Sequence, residues 1–335
     1  MVFDKRIRMK KLFFLFFAFF LNSQASAISV KVQLHYENKN FLKNIDVCFW
    51  EKKAFIFKEN PSYCTKSNEI GVAEIDIPEG EYYVFSEKKM VDKYLFGFFG
   101  LNPLKATKNM VLNVNLIDYP TNFIKKIKDS AIRGRVFYRG KPVNDADVFL
   151  YVDLSTELKG PPFLSTKTDI NGNFRIILEE GSYYLFVKKK KEYFGPPKAG
   201  DLVSFFPFFP VIMKEKGGYE VHVEMMKVSE RITESLNKLI KVYGTVKDKN
   251  NSAIEGVYVV AYDKPEILGK PKYISSPSDK RGKFTIYLKD AGKYHIVVRK
   301  TLGDTPDIGD IFVYGEVNIV EDNENEIEII TDFNS

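Results

Sequence analysis

Few residues of this 335-residue chain have the types and spacing that chemistry needs. Its three histidines are His35, His222 and His295. None opens an H-x-x-E or H-E-x-x-H stretch, so no zinc site is expected. Asp169-Ile-Asn171-Gly172-Asn173 resembles part of a calcium loop. The bidentate glutamate that closes such loops is missing, so turn formation is the preferred reading. No G-x-S-x-G elbow, phosphate loop or paired carboxylate stands out. The sequence therefore predicts a non-enzyme without a cofactor or metal.

Cys48 and Cys64 are the only cysteines. Val47 and Phe49 point inward on a strand, so Cys48 faces outward, and Cys64 can lie beside it on another strand. A disulfide is expected if the chain is exported. The remaining candidates are aromatic. Tyr94, Phe96, Phe98 and Phe99 fall in one Phe-, Gly- and Pro-rich stretch. Tyr193, Phe194, Phe205, Phe206, Phe208 and Phe209 fall in a second, and Phe312 and Tyr314 mark a third. Exposed, such rings could stack on sugars or dock a protein.

The elements that position these residues follow from one hairpin, Thr168 to Lys190. Phe174, Ile176 and Leu178 alternate with polar residues, as do Tyr183, Leu185 and Val187 after Gly181. The pattern recurs at Ser67 to Lys89 and at Ser278 to Lys300. Its turn glycines, Gly71, Gly172 and Gly282, lie 101 and 110 residues apart. A period that long is a domain rather than a solenoid repeat. Short strands with Gly, Asn, Asp and Pro turns indicate β-sandwiches. The expected architecture is all-β: three tandem β-sandwiches over 28–118, 132–228 and 242–335. Residues 119–131 and 229–241 carry helical spacing and are expected to be short helical linkers.

Strand parity makes the outer face of the central strand apolar as well. Tyr83 and Phe85, and Tyr184 and Phe186, cannot share the core with Tyr82 or Tyr183. The expectation is that the aromatic loops fold back over the outer face of their own domain.

Residues 1–27 read as a signal peptide, with a basic start, the apolar run Leu12 to Leu21 and an Ala25-Ser26-Ala27 cleavage site. Met9 reads as a start as naturally as Met1. The chain has 50 Lys+Arg and 44 Asp+Glu; beyond residue 27 the balance is 45 against 43. A nucleic-acid partner is not expected. No later stretch is apolar enough for a transmembrane segment. The basic run Lys188 to Lys191 reads as a solvated strand end. The expected location is secreted, periplasmic or cell envelope.

The second and third copies share further residues. Gly134-x-Val136 matches Gly244-x-Val246, and Val143-x-x-Ala146-x-Val148 matches Ile254-x-Gly256-Val257-x-Val259. Thr168-Asp169-x-Asn171-Gly172-x-Phe174 matches Ser278-Asp279-x-Arg281-Gly282-x-Phe284, and Gly181-x-Tyr183 matches Gly292-x-Tyr294. This pattern resembles the carboxypeptidase regulatory-like domain, a transthyretin-like sandwich grouped with carbohydrate-binding-like folds. The first copy departs from it at Asn68 and at Val72-Ala73. The resemblance implies three tandem Greek-key sandwiches of transthyretin or immunoglobulin type, seven-stranded, and a non-catalytic accessory, adhesive or spacer role. Collagen-adhesin B-type domains share this general fold and often carry a Lys–Asn isopeptide. Here Lys31, Asn113 and Asn115 all point away from the core, so none is expected. The functional expectation is a protein-interaction or structural module, with a carbohydrate-binding accessory as the alternative.

Overall fold

A computed structural model describes residues 27–36, 42–52, 60–158, 160–190, 197–228, 239–267, 269–302, 309–321 and 325–333. Every named element is a β-strand. The first stretch contains β1 (Ile28–His35), β2 (Asp46–Glu51), β3 (Tyr63–Lys66), β4 (Val72–Ile77), β5 (Gly80–Lys89), β6 (Lys93–Phe98), β7 (Leu104–Ala106) and β8 (Met110–Pro120). The second contains β9 (Ile124–Ile127), β10 (Ala131–Tyr138), β11 (Lys141–Pro142), β12 (Asp147–Tyr151), β13 (Leu164–Lys167), β14 (Asn173–Ile177), β15 (Gly181–Lys189), β16 (Leu202–Phe205), β17 (Val211–Met213), β18 (Gly218–Glu224) and β19 (Met226–Lys227). The third contains β20 (Ile240–Lys247), β21 (Tyr258–Tyr262), β22 (Tyr273–Pro277), β23 (Lys283–Leu288), β24 (Gly292–Arg299), β25 (Ile311–Ile319) and β26 (Asn325–Ile330).

The second and third stretches each build two sheets from alternating residues; in the first, β8 pairs with both β1 and β6, so the two layers are continuous as one eight-stranded sheet around its core. In β1 the side chains Ile28, Val30, Val32 and Leu34 are buried while Ser29 and Lys31 face out. The first sheet pairs the opening strand antiparallel with β4, β14 or β23. On its other side it pairs parallel with β8, β18 or β26. The second sheet is centred on β5, β15 or β24. Three hydrophobic cores result, one inside each stretch. Gly134 and Gly244 allow the parallel contact. A Cβ there would come within 2.4 Å of the Val221 carbonyl oxygen and 1.7 Å of the Ile327 carbonyl oxygen.

The hairpin turns form as the sequence predicts. Gly71, Gly172 and Gly282 have φ of 78°, 77° and 72°, the left-handed region that glycine enters freely. Asp169 Oδ1 accepts the amides of Asn171 and Asn173, both at 2.8 Å. Asp279 does the same for Arg281 and Lys283, and Asn68 for Ile70 and Val72. The tyrosines after the turn each donate to the carbonyl four residues back. Tyr82 reaches Pro78 at 3.0 Å, Tyr183 Glu179 at 3.3 Å and Tyr294 Asp290 at 2.8 Å.

Residues 119–131 are not helical. β8 runs through Pro120, and β9 pairs antiparallel with β18. Pairing with a waiting sheet edge supplies backbone partners that an isolated short helix lacks. Of the second expected linker, residues 229–238 lie outside the described residues and 240–241 begin β20.

Candidate functional site: the aromatic faces

The outward residues of the central strands are apolar, and their neighbours in register match them. Phe85 faces Phe98, and Phe186 faces Phe205, across antiparallel pairs. Each sheet therefore presents an aromatic outer face. These two faces pack against each other. Tyr83, Phe85, Phe96, Phe98, Ile117 and Tyr119 of the first stretch join Phe149, Tyr151, Tyr184, Val203, Phe205 and Met226 of the second in one buried cluster. Phe85 lies 5.3 Å from Phe205 and 4.6 Å from Phe209 between ring centroids. Trp50 lies 6.5 Å from Phe209. Polar tips find partners across the same boundary. The Tyr119 hydroxyl lies 2.9 Å from Ser204 Oγ and donates to the Glu224 carbonyl at 3.1 Å. The Tyr83 hydroxyl donates to the Leu154 carbonyl at 3.3 Å. Burial raises the pKa of both phenols.

This corrects the expected cover. The expected contact with the outer face of the same domain holds at Phe98 and Phe205, which lie opposite Phe85 and Phe186. They lie there as strand neighbours in β6 and β16 that widen the faces; among the described residues the aromatic stretches form no lid over them. The cover is the opposite sandwich, because two apolar faces satisfy each other without an extra lid. The other aromatic candidates separate. Phe99 packs on the first core and Phe206 is buried in the second. Tyr94 stacks on Phe123 at 5.3 Å, and its hydroxyl bonds Glu87. Phe208 is 42% exposed. Phe312 packs near Phe333, with centroids 6.5 Å apart, while Tyr314 is 40% exposed. Tyr193 and Phe194 lie outside the described residues.

Cys48 and Cys64 are bonded, with Cα atoms 4.2 Å apart on the paired strands β2 and β3. The basic run is not simply solvated. The Lys188 ammonium lies 4.5 Å from the Phe149 ring centroid, and burial lowers its pKa. Burial, with the Lys188 charge adding to it, pushes Lys190 down to about 8. Lys189 donates to Asp145, and Lys191 lies outside the described residues.

The third stretch meets the others through charge. Glu157, with its side chain 2% exposed, accepts from Lys52 at 2.7 Å and lies 3.7 Å from Lys289. Lys289 also donates to the Pro103 carbonyl at 3.0 Å. Burial lowers the pKa of Lys52, but bonds from Glu157 and Glu81 outweigh it and raise it. Glu157 and Leu158 have φ of 53° and 59°, a conformation that costs non-glycine residues about 1 kcal/mol or more. Nothing in the local sequence marks Glu157. A second feature missed in the sequence is the hydroxyl before each hairpin turn. Thr168 Oγ1 accepts from Ala146 N and donates to the Val143 carbonyl. Ser278 and Ser67 repeat both bonds. The matched Thr168-Asp169 and Ser278-Asp279 pairs were the available signal.

The histidines stay apart. His35 contacts Asn113, His222 contacts Glu224 and His295 faces Glu316. Among the described residues no group of three His, Cys, Asp or Glu could hold a metal. An open groove of about 740 Å³ lies on the outer face of β10 and β18, lined in part by Arg133, Arg135, Phe137, Arg175 and His222. Phe137 and His222 stack there at 4.4 Å. The guanidinium groups are already engaged: Arg133 with Glu220, Arg175 with Asp129 and Arg135 with the Asn171 carbonyl.

Against family models and curated proteins the sequence gives no match. Among solved structures, the Bacillus anthracis TIE protein is similar at 17% identity and a TM-score of 0.20, over 91% of this chain and 50% of that one. The chain thus spans half the length of that protein. A streptococcal ancillary pilin gives 12% identity and a TM-score of 0.20, over 91% and 99% of the two chains. BcpA, the major pilin subunit of Bacillus cereus, gives 11% and 0.22, over 91% and 98%. Among the described residues no helix is long and apolar enough to cross a membrane.

Proposed function

We propose that this chain is an exported, non-catalytic structural and protein-interaction module of the cell envelope or the extracellular space, built as three tandem sandwiches related to carboxypeptidase regulatory-like domains. One observation carries the reading. The aromatic residues best suited to hold a sugar are consumed between the first two sandwiches, where Phe96 is 1%, Phe98 7% and Phe205 4% exposed. Rings that grip a carbohydrate must reach solvent; rings buried against a neighbouring domain make a stiff spacer. The leader-like first 27 residues and the Cys48–Cys64 bond support export into an oxidising compartment.

Small-angle scattering from residues 27–335 tests the spacer reading. The first two sandwiches should scatter as one rigid body, unchanged between low and high salt. A profile that only independently moving beads can fit would sink it. The stacked Phe137–His222 pair favours a second reading, a carbohydrate accessory using the groove rather than the buried aromatic stretches. A glycan array separates the two: binding abolished by Phe137→Ala replaces the spacer role, and an array without binding leaves it standing.

A further inference from the structure

One asparagine in the chain opens an Asn-x-Ser/Thr tripeptide whose middle residue is not proline: Asn250, in Asn250-Asn251-Ser252. Asn60-Pro61-Ser62 matches in outline, but proline at the middle position blocks it. Such a tripeptide is an acceptor only where an enzyme can reach it, and the fold puts it at such a place. β20 ends at Lys247, which bridges Ala253 antiparallel. Between them the chain turns in a short hairpin loop. The Asn251 amide donates to the Asp248 carbonyl at 3.0 Å, and the Asp248 amide to the Ser252 carbonyl at 2.9 Å. Asn251 takes the left-handed conformation, φ 66°, that closes a loop of this kind. Asp248 Oδ1 accepts the amides of Asn250 and Ser252, both at 2.8 Å. Asp248 and the backbone therefore hold the turn. Residues 249–253 are exposed, and among the described residues the side chains of Asn250 and Ser252 have no partner. The sandwich does not require this loop: in the second stretch the matching hairpin is one residue shorter and turns on Arg139 and Gly140. The loop also stands clear of the other sandwiches. Lys289 and Asp290, which reach Pro103 and Lys105, follow β23 at the end where Leu288 pairs with Ile240. Asn250 follows β20 at the opposite end, roughly 20 Å along the strand.

We infer that Asn250 is an acceptor for an N-linked oligosaccharide, transferred from a lipid pyrophosphate carrier by a membrane oligosaccharyltransferase as the chain is exported. In the transfer Asn250 Nδ2 bonds to the anomeric carbon of the first sugar. The bond from that carbon to the pyrophosphate oxygen breaks, the lipid pyrophosphate leaves with the electron pair, and one amide proton passes to a base of the enzyme. An amide nitrogen is a weak nucleophile, because its lone pair is delocalised into the carbonyl. The free hydroxyl of Ser252 is the group by which the enzyme can hold Asn250 in position for attack. A sugar chain at this pole extends into solvent and displaces no packed side chain. The inference rests on the export reading and on nothing else that the molecule does.

Mass spectrometry of the protein recovered from outside the cytoplasm of its own cells tests it. The peptide that holds Asn250 should carry the added mass of sugar residues and release sugar fragment ions. Asn250→Gln and Ser252→Ala should each remove that mass, while Ser252→Thr keeps it by keeping the hydroxyl. Asn251→Gly preserves both the left-handed turn and the tripeptide, and should keep it as well. Residues 27–335 made in the cytoplasm without the leader should be bare. Thermal melts check that the variants fold. An exported protein with a bare Asn250, or added mass that survives Asn250→Gln or Ser252→Ala, overturns the inference. Protein found only in the cytoplasm with residues 1–27 still attached overturns the export reading, and the inference with it.

Discussion

Replacing Phe85 by Ala separates a welded pair of sandwiches from two that merely touch. Phe85 is 3% exposed, with the rings of Phe209, Phe205, Trp50 and Phe96 at 4.6, 5.3, 5.6 and 5.9 Å. The change removes roughly 130 Å² of buried apolar area, about 3 kcal/mol at about 25 cal/mol per Å². The hole lies between two hydrogen-bonded sheets that cannot easily collapse into it. A cavity cost adds to the transfer cost, and the expected loss is about 4 kcal/mol. If the first sandwich stood alone, the same side chain would lie on a wet sheet face, and its loss would cost about 0.5 kcal/mol or less. Trp50, the single tryptophan, sits at this boundary and reports it by fluorescence during urea unfolding. Phe205→Ala, on the opposite wall, should cost a similar amount. The double variant should cost less than the sum, because both side chains line one cavity. A Phe85→Ala loss below about 1 kcal/mol, or full additivity with Phe205→Ala, would refute the welded interface.

Removing the disulfide by Cys48→Ser with Cys64→Ser frees a loop with a 16-residue separation; stability should fall by about 3 kcal/mol, measured against the oxidised protein in denaturant. Glu157→Ala should cost about 2 kcal/mol, below the usual figure for breaking a buried pair because Lys52 and Lys289 keep some access to water; urea unfolding of the whole chain should show the loss. Alkali should unfold the protein cooperatively. Burial raises the folded-state pKa of Tyr82 to about 12 and raises those of Tyr83, Tyr94, Tyr119, Tyr151 and Tyr273. These phenols contribute stability in full below about pH 10, the unfolded value, and lose it as pH rises from there through the folded values. Tyrosinate absorbance should therefore appear together with loss of β-sheet circular dichroism; phenolate signal developing on an intact fold would contradict the burial.

Local chemistry was legible in the sequence; partnership between distant surfaces was not. Gly172 and Asp169 specify their turn within five residues, and Tyr183 finds its acceptor four residues away, so both follow from spacing alone. Strand parity also showed that Phe85 and Phe186 had to lie on an outer face and that this face needed covering. It could not say by what, because alternation records which side of a sheet a residue occupies and not what lies beyond it. The loop aromatics were nearer in sequence than the next sandwich; Phe98 and Phe205 do border their own outer faces, but as strand neighbours, and the cover comes from the opposite sandwich. Ile124–Ile127 had a helical pattern, yet the free edge of β18 decided its conformation. Glu157 was invisible for a related reason. Its partners Lys52 and Lys289 come from the other two stretches, and no local pattern joins them.

The shared aromatic face has a cost in time. A chain emerging from the ribosome or a translocation pore completes its first sandwich when β8 appears. Phe205 and Phe209, which seal Phe85, arrive about 90 residues later. At about 5–20 residues per second, the first face stays bare for roughly 5–20 s. During that interval Tyr83, Phe85, Phe96 and Phe98 form a sticky sheet on a nascent chain, long enough to meet the same face on a neighbouring nascent chain. Polysome spacing, export rate and chaperone occupancy then become conditions for a good yield, although none of them alters the finished fold.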